Sequence, residues 1–110
     1  MNENLPVLDE LAALEATDGD DELVKILQET CLEEAPALLE SARDAVHKSD
    51  WVTARRCGHS LKSSFGAIGA KAAAAKATEL EFLESDKQGD FHNALDSLDE
   101  AYQQLVDRIG

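Results

Sequence analysis

The chain has 110 residues, which suits one domain with a single core and is too short for two. Its hydrophobic content of 44% with only 5% aromatic residues favours a helical core of Leu, Ala, Val and Ile over a sheet. A formal net charge of −13 argues against a nucleic-acid binder, whose surface would need clustered Lys and Arg.

No apolar run approaches the roughly 20 residues that span a bilayer, and Met1-Asn2-Glu3-Asn4 lacks a signal-peptide pattern. We therefore expect a cytoplasmic protein without a membrane partner, and a monomer. Cys31 and Cys57 lie on predicted apolar helix faces, where we expect neither a disulfide nor a catalytic thiol. His47 and His92 are interpreted as solvated residues near helix ends. The spacing of the three histidines does not indicate a preformed metal site.

The spacing of apolar residues predicts five or six helices joined by short turns. A first short helix covers residues 5–16. Asp20 or Asp21 can cap the second helix, whose apolar stripe continues to about His47. Pro36 interrupts this pattern, and either a kink or a fresh helix start is possible there.

The third helix is predicted to open at Trp51, with Asp50 as its N-cap, and to run to residue 65 or 66. An alanine-rich helix follows over residues 70–83, and a break at residues 87–90 precedes the longest amphipathic pattern of the chain. The economical packing of the last four long elements is an antiparallel up-and-down four-helix bundle. The short N-terminal helix would cap one end, so that residues 1–110 form a single all-α domain.

The third helix carries His59 on its solvent-facing side, opposite the small and apolar residues. Its neighbours on the helix surface are cationic or small: Arg55, Arg56, Lys62, Ser63 and, one turn further along, Gly66. The chain has 23 acidic residues, yet none lies between Trp51 and Thr78, a segment that holds five cations. The sequence therefore predicts a basic surface, free of acidic groups, around one exposed imidazole.

Other interpretations of this segment stay open. An acidic adaptor bundle that binds a signalling partner without chemistry would explain the net charge, but not the basic patch around one histidine. An enzyme with a histidine general base would need a nucleophile or an orienting carboxylate, and none can be named. Arg55 and Arg56 could instead pair with acidic side chains of the preceding helix, and Lys62 could simply be solvated. Gly58 and Gly66 could serve only close helix packing.

The run His59-Ser60-Leu61-Lys62-Ser63-Ser64-Phe65-Gly66-Ala67-Ile68-Gly69-Ala70 resembles the signature of histidine-containing phosphotransfer (HPt) domains, roughly His-x-Leu-Lys-Gly-x-x-x-x-Leu-Gly-Ala. The matching residues are His59, Leu61, Lys62, Gly69 and Ala70, with Ile68 a conservative fit. The resemblance extends to residues 32–36, 49–51 and 79–81, and so over nearly the whole chain. Ser63 stands where the family usually has Gly, one turn after the histidine.

The resemblance implies a phosphotransfer protein of a bacterial-type two-component phosphorelay, without kinase activity of its own. His59 would accept a phosphoryl group from a receiver-domain aspartyl phosphate and pass it to another response regulator. A hybrid sensor kinase would be a further partner. Lys62 would stabilise the phosphate, and the partner would contact Arg55, Arg56, Ser63 and Gly66. No cofactor of its own is expected, and Mg²⁺ would come from the receiver because a site without acidic residues cannot hold a metal.

Overall fold

The computed structural model describes residues 5–110, which form five α-helices and no strand. These helices are α1 (Glu10–Ala16), α2 (Asp21–His47), α3 (Trp51–Ala67), α4 (Lys71–Glu81) and α5 (Gln88–Ile109). The predicted all-α fold class is confirmed, although α1 begins later than the sequence pattern indicates. The signal-peptide expectation concerns residues 1–4, which lie outside the described residues. Within the described part of the chain, no helix is both long enough and apolar enough to cross a membrane.

The four longer helices form a closed ring in which each packs against two others. α2 contacts α3, α3 contacts α4, α4 contacts α5, and α5 contacts α2. The largest side chains in the centre are fully buried and all aliphatic or aromatic, among them Phe65, Phe91, Leu61, Leu80 and Leu98. The ring is a helical bundle, and the antiparallel order of its helices stays a prediction.

The segment around α1 is fastened to the turn between α3 and α4 and to the end of α5. The backbone N–H of Asp9 donates to the carbonyl of Gly69 at 2.7 Å, and the Asp9 carboxylate lies 2.9 Å from Lys71 Nζ. Arg108, near the end of α5, pairs with Glu10 at 3.0 Å. Gly69 has a φ of +74°, and a Cβ there would collide with the carbonyl oxygen of Asp9, so the turn requires glycine.

α2 runs unbroken through Pro36, where the sequence left a kink or a fresh start open. Proline lacks the N–H that would bond to the carbonyl of Leu32, four residues earlier. The hydroxyl of Tyr102, on α5, donates to that carbonyl at 3.3 Å. The carbonyl that Pro36 leaves without an intrahelical donor is therefore satisfied from another helix.

α3 begins at the predicted residue and buries the predicted face. Asp50 is its N-cap, and its carboxylate accepts hydrogen bonds from the backbone N–H of Thr53 at 3.1 Å and from the Thr53 hydroxyl at 2.7 Å. The buried face consists of small and apolar residues: Ala54, Cys57, Gly58, Leu61 and Phe65. With that face turned to the core, the opposite face of α3 is left on the surface.

Candidate functional site

An exposed stripe runs along α3 and has His59 at its centre. Its members follow one another at helical spacings of three or four residues: Val52, Arg56, His59, Ser63 and Gly66. The His59 side chain is 58% exposed. A macromolecular partner can therefore reach the imidazole without any rearrangement of the bundle.

Glu81, the last residue of α4, contacts both His59 and Lys62. Its Oε2 lies 2.6 Å from His59 Nδ1, and its Oε1 lies 2.9 Å from Lys62 Nζ. The Glu81 side chain is only 15% exposed, so its carboxylate forms the inner wall of the site. The expectation that the surroundings of His59 are free of acidic groups is wrong. The run without acidic residues ends at Thr78, and Glu81 follows three residues later, on a helix packed against α3.

The contact with Glu81 determines which nitrogen of His59 is free. An ionised carboxylate can only accept hydrogen bonds, so Nδ1 carries the proton and donates it. In the neutral ring, Nε2 then keeps its lone pair and is the nucleophilic nitrogen. The Lys62 ammonium, and to a lesser extent the hydrogen bond from His59, hold the pKa of the Glu81 carboxyl below its usual value. The carboxylate is therefore ionised at neutral pH.

Lys62 lies one helical turn after His59, and its ammonium group makes two contacts. Besides its ion pair with Glu81, its Nζ lies 5.7 Å from the centroid of the Phe82 ring. Its side chain is one-third exposed, whereas Phe82 is a prominently exposed apolar residue. Lys62 is thus paired rather than simply solvated, and its role in stabilising phosphate stays a prediction.

The two neighbouring arginines have different surroundings. Arg55 Nε donates to the carbonyl of Leu83 at 2.8 Å, and its guanidinium also donates to the carbonyl of Ser85 at 3.3 Å. The same group lies over the Phe91 ring, 5.5 Å from its centroid. Arg55 therefore anchors the α4–α5 loop, and a role for it in partner binding stays a prediction. Arg56 is exposed, and within residues 5–110 neither arginine forms an ion pair with an acidic side chain.

The two glycines of α3 also differ. A Cβ on Gly66 would meet nothing within 4 Å, so packing does not require glycine there. A Cβ on Gly58 would lie 2.8 Å from the backbone nitrogen of Glu81 and 3.0 Å from the carbonyl oxygen of Ala77. Close helix packing thus explains Gly58 and not Gly66. Gly66 and Ser63 both lie on the exposed stripe, where a partner can approach.

His47 and His92, which the sequence predicts to be solvated residues near helix ends, are neighbours in the structure. Their ring centroids lie 5.2 Å apart in a T-shaped arrangement that joins the end of α2 to the start of α5. The side-chain amide of Gln88 joins the same two ends by donating to the last carbonyls of α2, at 2.9 and 3.2 Å. Across the described range, no group of three or more His, Cys, Asp or Glu residues could hold a metal ion.

Both cysteines are free and buried in the core. Burial raises the pKa of the Cys31 thiol to about 11 and that of the Cys57 thiol above its usual value. Neither thiol ionises at neutral pH, in keeping with their predicted role as small hydrophobic residues.

The family model described as Hpt domain matches residues 26–108, well over half of the chain, and this range includes His59, Lys62 and Glu81. The chain belongs to the Hpt domain family. Membership implies a part in phosphotransfer within two-component phosphorelays, where Hpt domains are intermediates rather than kinases and interact with receiver domains and kinases. The family resemblance found in the sequence is thereby confirmed. No curated protein and no solved structure matches the chain.

Proposed function

We propose that this chain accepts a phosphoryl group on Nε2 of His59 from the aspartyl phosphate of a receiver domain and passes it to the receiver domain of another response regulator. The observation that supports this most directly is the 2.6 Å contact between His59 Nδ1 and Glu81. In an Hpt domain, that contact leaves the lone pair of the other ring nitrogen free to act as a nucleophile, on a side chain that is 58% exposed.

In the accepting step, the lone pair of Nε2 attacks phosphorus. The new N–P bond forms as the bond between phosphorus and the aspartyl oxygen breaks, and the aspartate carboxylate leaves with that electron pair. Positive charge develops on the imidazole during the attack. Because Nδ1–H donates a hydrogen bond to Glu81, this charge develops next to the Glu81 carboxylate. Glu81 stabilises the charged ring without taking its proton. Transfer to the second receiver reverses these steps.

Lys62 supplies the cation that a transferring phosphoryl group needs. Charge spreads over the three equatorial oxygens of that group, and a nearby ammonium stabilises them. Lys62 starts one helical turn from His59 with its Nζ on Glu81, and its flexible side chain is proposed to rotate from Glu81 to the phosphoryl oxygens. Glu81 would then face the phosphorylated ring alone.

The remaining components are expected to come from the receiver. We propose that it contributes Mg²⁺ together with the aspartate, and that it docks over the exposed stripe of α3, with Arg56, Ser63 and Gly66 among its contacts. The acidic pocket of such a partner complements Arg56 and Lys62 in charge. We also propose a monomer with its four long helices in antiparallel order. The short connections between consecutive helices, residues 48–50, 68–70 and 82–87, support the antiparallel order.

A panel of phosphorylated receiver domains tests this function. The receivers carry a labelled phosphoryl group, and this label should move from at least one of them to the wild-type chain. Lys62→Ala should slow that transfer while leaving the protein folded. A chain that binds receivers in a pull-down but takes no label from any of them would be an adaptor, and the proposal would be wrong.

A further inference from the structure

We propose that Gly58 is a positioning residue for the phosphotransfer site. The absence of a side chain at Gly58 lets the backbone of α4 approach α3 closely enough for Glu81 to hold His59 and Lys62 at the same time. Gly58 is buried, precedes His59 in the chain, and lies on the inner side of α3. It touches neither His59 Nε2 nor the phosphoryl group, so its effect passes through Glu81.

The contacts that surround Gly58 are with backbone atoms. A Cβ there would lie 2.8 Å from the nitrogen and 3.2 Å from the Cα of Glu81, and 3.0 Å from the carbonyl oxygen of Ala77. Backbone inside a helix cannot swing aside as the end of a long side chain can. To reach an ordinary separation of about 3.5 Å, α4 would have to move away from α3 by about 0.7 Å at Glu81.

That displacement is large compared with the tolerance of the two Glu81 contacts. The contact with His59 Nδ1 measures 2.6 Å, and N–H···O hydrogen bonds weaken beyond about 3.2 Å. The contact with Lys62 Nζ, at 2.9 Å, is made by the other oxygen of the same carboxylate. A single carboxylate that reaches two partners one helical turn apart has little freedom to follow a shifted backbone, so an added methyl group at position 58 disturbs both contacts.

The consequence for transfer rests on the proposed function of His59. Without its acceptor, the imidazole no longer favours the form with the proton on Nδ1, so Nε2 carries its lone pair in only part of the molecules. The positive charge that develops during attack also loses its partner. We expect Gly58→Ala to slow transfer roughly tenfold. Gly66→Ala, on the same helix with open space around it, is the matched control for the fold and for the ring spectrum. It is not used as a control for the transfer rate, because Gly66 lies on the stripe over which the receiver is proposed to dock.

The test compares wild type, Gly58→Ala, Glu81→Ala, their double variant and Gly66→Ala. Circular dichroism monitors the fold, ¹⁵N NMR of the His59 ring reports which nitrogen is protonated, and single-turnover transfer from a phosphorylated receiver gives the rate. We expect Gly58→Ala to stay folded, to lose the Nδ1–H signature as Glu81→Ala does, and to have no further effect on the rate in the Glu81→Ala background. Gly66→Ala should keep the wild-type spectrum.

Three results would overturn the assignment. The first is a wild-type ring spectrum in folded Gly58→Ala. The second is a loss of transfer rate from Gly58→Ala that is equally large in the wild-type and the Glu81→Ala backgrounds. The third is a Gly58→Ala chain that does not fold, which would make the glycine a requirement of the fold alone. A different measurement tests the proposed function, namely phosphate uptake by the wild-type chain. If wild type takes phosphate from no receiver while the ring spectra change as expected, the phosphotransfer function fails and the positioning role of Gly58 holds.

Discussion

Arg55 and Arg56 are adjacent arginines for which the structure predicts opposite consequences of substitution. Arg55→Ala removes two hydrogen bonds to the carbonyls of Leu83 and Ser85 and the contact of the guanidinium with the Phe91 ring. Arg56→Ala removes an exposed side chain from the stripe around His59 and no ion pair with an acidic side chain. The first change should therefore act on the stability of the fold, and the second on the encounter with a partner.

The expected magnitudes follow from these contacts. A hydrogen bond to a charged group contributes about 1.5 kcal/mol or more to stability. The bond to the carbonyl of Ser85, at 3.3 Å, contributes less than the bond to the carbonyl of Leu83, at 2.8 Å. The cation–π contact with Phe91 adds about 0.5–1 kcal/mol. Water can reach the two carbonyls once the guanidinium is gone, which limits the loss. We expect Arg55→Ala to lower the free energy of unfolding by about 2–3 kcal/mol and the Tm by roughly 8–15 °C. Arg56→Ala should change stability by less than about 0.5 kcal/mol.

The assay pairs thermal unfolding, followed by circular dichroism, with transfer rates from a phosphorylated receiver at low and at physiological salt. Arg55→Ala should melt early and, well below its Tm, transfer at close to the wild-type rate. Arg56→Ala should melt like wild type and transfer more slowly at low salt, with a smaller difference at physiological salt because exposed charges are screened there. If Arg55→Ala melts like wild type and slows transfer as much as Arg56→Ala does, then Arg55 belongs to the docking surface and the loop-anchor interpretation is wrong.

Two further predictions concern Ser63 and Glu81. Ser63→Gly should lower the Tm by only a few degrees, since glycine costs roughly 0.5 kcal/mol relative to serine in a helix, and the variant should exchange phosphate with a wider range of receivers. Ser63→Leu should fold but not transfer phosphate. A folded Ser63→Leu with wild-type transfer rates would show that receivers do not dock over this face. The pKa of Glu81 is lowered from about 4.5, so its stabilisation is complete above that pH and is lost as the pH falls through the lower folded-state value. Wild type should therefore exceed Glu81→Gln in Tm at pH 7 by a margin that shrinks as the pH falls below about 4.5. A margin that stays constant down to pH 3 would contradict this.

The features of α3 could be predicted from the sequence because they are local. Asp50 caps a helix that begins at the next residue, and the periodicity of small and apolar residues determines which face is buried. Once that face is assigned, the exposure of His59, Ser63 and Gly66 follows from helical geometry alone. The resemblance to the Hpt signature lies in the same short stretch, so the candidate site and the family were accessible together.

Glu81 was missed because the acidic residues were counted along the chain, whereas electrostatic contacts act through space. The count correctly found none between Trp51 and Thr78. It could not show that α4 packs against α3 with the last residue of α4 beside His59. The resemblance of residues 79–81 to the family pattern was the available signal, and no role was attached to it.

Contacts between distant parts of the chain account for the other differences. The sequence left the course of α2 at Pro36 open, because the donor that replaces the missing N–H is the hydroxyl of Tyr102 on α5. The sequence was likewise compatible with two roles for Arg55, pairing with acidic side chains or contacting a partner. Its guanidinium instead binds loop carbonyls nearly 30 residues away, and no sequence pattern marks a backbone carbonyl as an acceptor.

The most direct test of the account is the site of phosphorylation. Wild type and His59→Gln, both shown to be folded by circular dichroism, are incubated with the same phosphorylated receiver, and the modified chains are examined by intact mass and by stability of the label in acid and base. Wild type should gain a single phosphoryl group that is lost in acid and kept in base, and His59→Gln should gain none. If folded His59→Gln takes up the same acid-labile, base-stable phosphate, His59 is not the acceptor and the proposed function of this site is wrong.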